Sequence, residues 1–169
     1  MTIHRICFYP EPVLLKEAET VDVFDDALRV LVADMFETMY DAKGVGLAAP
    51  QIGISKRIFV IDSIGDGSER IVMINPVITQ MDDMTKMQEG CLSVPGPVDY
   101  VRRANKVKAT GVDEFGKPVH IEAEGLLAEA IQHETDHLHG KLYIHKLSPL
   151  KRMRALKALE KTKKTLQKK

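Results

Sequence analysis

Two histidines with three residues between them, in the segment "HETDH" (His133 to His137), constrain this chain more than any other feature. On an α-helix they stand one turn apart on one face, so both imidazoles reach a single metal ion. Glu134 sits beside them, placed to act on a metal-bound water. Leu126, Leu127, Ala130 and Ile131 precede the pair. The helix predicted over "GLLAEAIQHETDHLHG" therefore enters a core, and Gly140 ends it. Two histidines that face solvent or satisfy buried carbonyls are the plainer alternative. The apolar run weighs against it.

A catalytic site of this kind takes three protein ligands and leaves a position open. The segment continues "LHGKLY", and Tyr143 stands where a metzincin protease would need a histidine. A downstream glutamate would have to be Glu160, which lies among lysines. His139 projects from a different helix face, and His145 lies beyond Gly140 and stays open. Cys91, in "EGCLSVPG", is the best remaining candidate. A thiolate binds borderline-soft divalent ions well, and the ion itself keeps the sulfur deprotonated. The rival reading of Cys91 as a nucleophile needs a histidine base, and the available histidines are committed to the metal.

The rest of the chain bounds this reading. Its 169 residues suffice for one domain with a real core, expected over 1–169. No window approaches a membrane span, and "MTIHRICFYPEP" lacks the apolar core of a secretory signal, so the expected compartment is the cytoplasm. With two cysteines, a structural disulfide is not expected there. Cys7, in the apolar run "RICFY", reads as core packing.

Apolar positions at helical spacing predict a helix over Asp25 to Gly44, capped by Asp25 or Asp26 and stopped by Gly44. "RIFVID" and "RIVMINP" read as strands around the loop Ser63 to Glu69, and "KVKATGVDEFGKPVHIEAEG" as a hairpin turning near "EFGK". A last helix starts at Ser148 (N-cap) and Pro149, with Leu150, Met153, Leu156 and Leu159 as its apolar stripe. Helices and strands do not alternate regularly. The expected class is α+β: antiparallel or mixed strands packed around the central helix that carries His133 and His137, with an N-terminal helix and a C-terminal basic helix over 148–169.

Three segments in this order, "GVGLAAPQ" (Gly44 to Gln51), "EGCLS" (Glu89 to Ser93) and "QHETDH" (Gln132 to His137), resemble the signature motifs of peptide deformylases. The flanks "ADMFETMYDAKG", "GKL" and "LSPLK" extend the likeness over nearly the whole chain, which most resembles the bacterial type with a C-terminal helix.

The resemblance implies a hydrolase that removes the formyl group from the N-terminal formylmethionine of new polypeptides and releases formate. Cys91, His133 and His137 would bind one divalent ion, Fe(II) natively, with Zn, Ni or Co able to occupy the site. Glu134 would be the general acid and base. Gln51 and the Leu92 backbone N–H would stabilise the oxyanion. Gly46 would let the substrate backbone approach closely. Val45, Met87, Leu126, Glu129 and Ala130 would line the pocket for the methionine side chain. Glu129 departs from the apolar residue usual there. Glu89 would pair with Arg103 in support of the second motif, against the alternative of a weak surface ion pair. Asp136 would either orient neighbouring groups or be an exposed helix residue.

Charge is uneven. Nine Lys or Arg and one acid, Glu160, lie in Lys151 to Lys169, a net +8 that leaves −8 on the remainder because the whole chain is neutral. Such a tail suits phosphate. The family's C-terminal helix docks on the ribosome near the exit tunnel, and the resemblance implies the same here. Without aromatics, the tail would touch RNA mostly through the backbone, and no DNA or membrane partner is expected. Two other classes compete: a general metalloendopeptidase, and a non-catalytic metal- or RNA-binding protein. The Cys91 ligand and the "GVGLAAPQ" segment argue against the first. Intact candidate catalytic positions argue against the second.

Overall fold

The computed structural model describes all 169 residues, Met1–Lys169. Five strands form one sheet in sequence order: β1 (Gly46–Ala48), β2 (Ile58–Asp62), β3 (Arg70–Cys91), β4 (Val94–Val112) and β5 (Pro118–Glu124). All four pairings are antiparallel, so the sheet is not mixed. Three α-helices accompany it: α1 (Asp26–Asp41), α2 (Gly125–Leu138) and α3 (Pro149–Gln167).

β2 explains how the layers stack. It reads as an unbroken apolar run because both its faces are covered, and all its residues are buried. Ile58 and Val60 point to α1, where Leu28, Val32, Met35, Phe36 and Met39 meet them. Phe59 and Ile61 point the other way, to Ala128, Ile131 and Leu138 of α2. Each such large side chain contributes about 1.5–3 kcal/mol when fully buried. The helix carrying His133 and His137 is thus clamped to one face of the sheet. Gln132 adds a polar tie: its amide accepts from the Ala104 N–H at 2.9 Å and donates to the Ala104 carbonyl at 2.8 Å, docking α2 on β4.

The expected helices are present. The Asp25 side chain caps α1 by accepting from Leu28 N at 3.0 Å. Its stop differs from expectation. Lys43 takes the left-handed turn at φ 58°, whereas a Cβ on Gly44 would press on the Leu92 side chain, 2.7 Å from its Cδ1. Gly140 does end α2, at φ 71°. Ser148 caps α3, and Pro149 follows as expected. The buried stripe of α3 is shifted from the expected one. Ala155 and Leu159 are buried and Leu156 packs beside them, while Leu150 and Met153 are exposed. Ala155 was too small to stand out against the larger residues around it. Opposite this stripe, Arg154, Lys157, Lys161, Lys164 and Lys168 form an exposed cationic row at helical spacing.

The sheet also contains more than the sequence pattern announced. β3 and β4 run 22 and 19 residues and meet in a turn at Leu92–Ser93, so "EGCLSVPG" is the tip of a long hairpin. Near that tip the register shifts between Glu89 and Cys91. Glu89 pairs with Asp99 but Cys91 pairs with Val94, which frees the intervening β4 residues to bulge outward. Bulges of this kind re-aim side chains beside functional sites.

Candidate active site

The hairpin tip brings Cys91 to α2. Its Sγ lies 3.3 Å from His137 Nε2, and His137 Nε2 lies 3.3 Å from His133 Nε2. These atoms form the chain's one Cys/His/Asp/Glu group with ligand atoms all within 4.8 Å of one another. Two imidazole nitrogens bound to one ion at tetrahedral angles lie about 3.3 Å apart, since each sits about 2.0–2.1 Å from the ion. The donor set therefore fits a divalent cation.

Protonation supports the fit. Glu89 Oε1 lies 2.7 Å from His133 Nδ1, so the His133 proton belongs on Nδ1 and its Nε2 lone pair faces the convergence point. Without an ion, burial pushes the His133 pKa down, yet Cys91, the hydrogen bond to Glu89 and the Glu134 charge raise it well above normal, so a bound ion would take the place of the Nε2 proton. Burial, together with His133, pushes His137 well below its usual range, keeping it a neutral donor. His139 and His145 stand apart: His139 meets Glu17 at 3.0 Å, and His145 Nδ1 accepts from Leu142 N at 3.0 Å. Glu160 meets Lys163 at 3.5 Å in α3.

The support behind the ligands is buried. Arg103 grips Glu89 through two bonds, at 2.6 and 2.9 Å, and its Nη1 reaches Asp136 at 2.7 Å. Arg103 and Glu89 are both only 3% exposed, so theirs is no surface pair, and Asp136 belongs to the same network.

A cavity of about 410 Å³ opens beside Cys91 and His133. Val45, Gly46, Gln51, Leu92, Leu126, Glu129, Ala130 and Glu134 all line it. Met87 does not; its neighbour Gln88 does. Successive strand residues point to opposite faces, so Gln88 and Gly90 take the cavity side while Met87 shares the Glu89 side. Leu126 is half exposed at the rim.

Glu134 is buried, and its Oε2 has no hydrogen-bond partner. Burial raises its carboxyl to about 7, with Glu89 adding to the rise and His133 opposing it. Such a group exchanges a proton readily near neutral pH. Gly46 makes room for it, because a Cβ there would fall 2.7 Å from Glu134 Oε1. The glycine thus accommodates the carboxylate of this chain, a role the sequence did not disclose. Gln51 presents its amide NH2 to the site, and the Leu92 N–H, in the hairpin turn, donates to no backbone acceptor. Burial pushes the Glu129 carboxyl up to about 7, and the Glu89 charge adds to that. The charges of His133 and Arg103 oppose the rise without cancelling it.

Several participants escaped the sequence reading. Ser93 accepts from Gln51 Nε2 at 3.1 Å. Tyr143, the residue that breaks the metzincin pattern, stacks at 6.4 Å on His133 and donates to the Pro97 carbonyl at 3.1 Å. Pro97 and Val98, in the bulge of β4, form cavity wall. Only the failed metzincin position drew attention to any of these.

Known proteins resemble this arrangement along the whole chain. The polypeptide deformylase family profile matches residues 3–153. A peptide deformylase of Pseudomonas aeruginosa is 52% identical over 162 residues, covering 95% of this chain and 96% of its own. One from Chromobacterium violaceum is 48% identical over 164 residues, covering 97% and 98%. The crystal structure of a peptide deformylase from Legionella pneumophila superposes with a TM-score of 0.98 at 52% identity, covering 99% of each chain. That of Synechococcus elongatus, in complex with actinonin, gives 0.87 at 40% identity and covers 94% of this chain and 87% of its own. A family profile that matches nearly the whole chain, relatives about half identical along it and a superposing fold show that the chain belongs to the polypeptide deformylase family.

Proposed function

We propose that this protein hydrolyses the N-formyl group of formylmethionyl nascent peptides, using a divalent ion held by Cys91, His133 and His137. The observation that carries the reading is the convergence of these three donors beside a buried carboxylate that titrates near neutral pH.

The ion would supply Lewis acidity, lowering the pKa of a water and polarising the formyl carbonyl. The chain's residues do the rest. Glu134 takes the water proton through its unpartnered Oε2 and delivers it to the departing amine. The Gln51 amide and the Leu92 N–H donate to the oxygen that becomes negative. Val45, Leu126 and Ala130 offer apolar surface to the methionine side chain, and Glu129 places a carboxyl beside them. Glu89 keeps the His133 ring turned toward the ion.

Fe(II) is the native ion in this reading, and Zn, Ni or Co would also suit one thiolate and two imidazoles. The protein acts in the cytoplasm as a single domain. Its α3 lays the exposed cationic row against ribosomal RNA near the exit tunnel, which brings the cavity to emerging chains. The metalloendopeptidase alternative shares the His133, Glu134 and His137 arrangement, but the Cys91 donor and the family match favour deformylation.

The test compares formyl-Met, acetyl-Met and internally labelled peptides as substrates. Formate release from the first alone is expected. Equal rates on the acetyl peptide, or internal cleavage, contradict the proposal.

A further inference from the structure

We propose that Ser93 is the positioning residue for Gln51, holding one N–H of the Gln51 amide so that the other points at the reacting carbonyl oxygen. This rests on the deformylase reading above, in which Gln51 donates to that oxygen.

The geometry fixes the amide at both ends. The Ala48 N–H donates to Gln51 Oε1 at 2.9 Å, which decides that the opposite end of the group is the NH2. That NH2 donates to Ser93 Oγ at 3.1 Å. The same NH2 also makes a long contact, 3.7 Å, to Cys91 Sγ, which directs its second N–H toward the side of the cavity that Cys91 lines. Neither partner has room to wander, since Gln51 is 1% exposed and Ser93 0%.

The backbones beneath are pinned by the same short segment. The Cys7 N–H donates to the Gln51 carbonyl at 2.7 Å, and the Tyr9 N–H donates to the Ser93 carbonyl at 2.9 Å. Alternate residues of the N-terminal segment therefore staple the end of the first motif to the end of the second. A donor aimed before the reaction begins costs no reorganisation when charge develops. Without Ser93 Oγ the amide keeps its Ala48 bond and the long Cys91 Sγ contact, which hold its NH2 less firmly toward the oxygen.

A purely structural serine would look the same in coordinates, so the test must read coupling. Metal-loaded wild type, Ser93→Ala, Gln51→Ala and the double variant are assayed for formate release from a formylmethionyl tripeptide, with metal content and thermal midpoint as controls. Ser93→Ala is expected to lower kcat about tenfold, equivalent to about 1.4 kcal/mol, with KM within about twofold. In the Gln51→Ala background the same change is expected to cost less than about twofold, because the group it positions is gone. Equal losses in both backgrounds, or an undiminished kcat in Ser93→Ala, overturn the proposal. A wild type that releases no formate refutes the function and not this coupling.

A second measurement needs no variant. In the zinc-loaded wild type, the Gln51 side-chain amide protons should exchange far more slowly than those of exposed glutamines. Exchange as fast as theirs overturns the proposal even if Ser93→Ala fails to fold.

Discussion

Glu89 Oε1 lies 2.7 Å from His133 Nδ1, and Arg103 holds the same carboxylate from the other side. A residue of the second motif thereby fixes the ring of a candidate ligand in the third. Glu89→Ala would remove two of the three carboxylate bonds to buried Arg103, leaving it Asp136 alone. Losing one member of a buried pair costs about 3–5 kcal/mol. Losing a ligand's outer partner costs about 10–100-fold in metal affinity. Urea unfolding and competition titration with a chelator should show both losses. Glu89→Gln, which keeps an acceptor for His133, should lose less of each.

The same carboxylate makes acid stability predictable. Burial pushes the Glu89 pKa up, but the bonds from His133 and Arg103 more than offset it and hold it at about 2, below the ordinary 4.5. A folded-state pKa below the unfolded one adds stability that is complete above the unfolded value and lost as pH falls through the folded one. In the metal-free protein, the stability difference between wild type and Glu89→Gln should therefore shrink as pH falls from about 5 toward about 2. A difference independent of pH across that window would contradict the assigned pairing.

Gly46→Ala probes the base. A Cβ would fall 2.7 Å from Glu134 Oε1, so the carboxylate must move. A displacement near 1 Å can cost about 100-fold in rate. We expect kcat to drop by about that factor while metal content stays at the wild-type level, since no ligand is touched. Unchanged kcat would show that Glu134 does not need its present position.

Gly140→Ala tests the stop of α2 away from the chemistry. The residue has φ 71°, and an added Cβ would lie 2.7 Å from the Leu15 backbone carbon. Strain plus a clash with main chain should cost about 2 kcal/mol or more. The unfolding midpoint should fall accordingly, with activity per folded molecule preserved.

How much of this was legible in sequence depended on whether the signal was local. His133, Glu134 and His137 share one helix, so spacing alone placed them together. Cys91 was reached by asking which donor remained, and the hairpin delivers it to the expected place. The strand β2 and the caps of α1 and α3 also followed from local pattern. What stayed hidden depends on long-range register. Alternation along β3 turns Gln88 and not Met87 to the cavity, while the register shift between Glu89 and Cys91 puts Pro97 and Val98 in its wall, and no local run of residues reveals where such a shift falls. Ser93 and Tyr143 matter through partners 42 and 46 residues away, which no local pattern encodes. Gly46 lines the cavity and also makes room for Glu134 from α2, a neighbour that no local pattern announces.

The central claim is that Cys91, His133 and His137 hold one ion that the deformylation needs. The most direct measurement titrates Fe(II) anaerobically into metal-free protein while following formate release from a formylmethionyl peptide. The account predicts that activity rises in proportion to bound ion and saturates at one equivalent per chain, and that His137→Ala neither binds tightly nor gains activity. Full activity in the metal-free protein, or a His137→Ala variant that saturates and turns over like wild type, would contradict it.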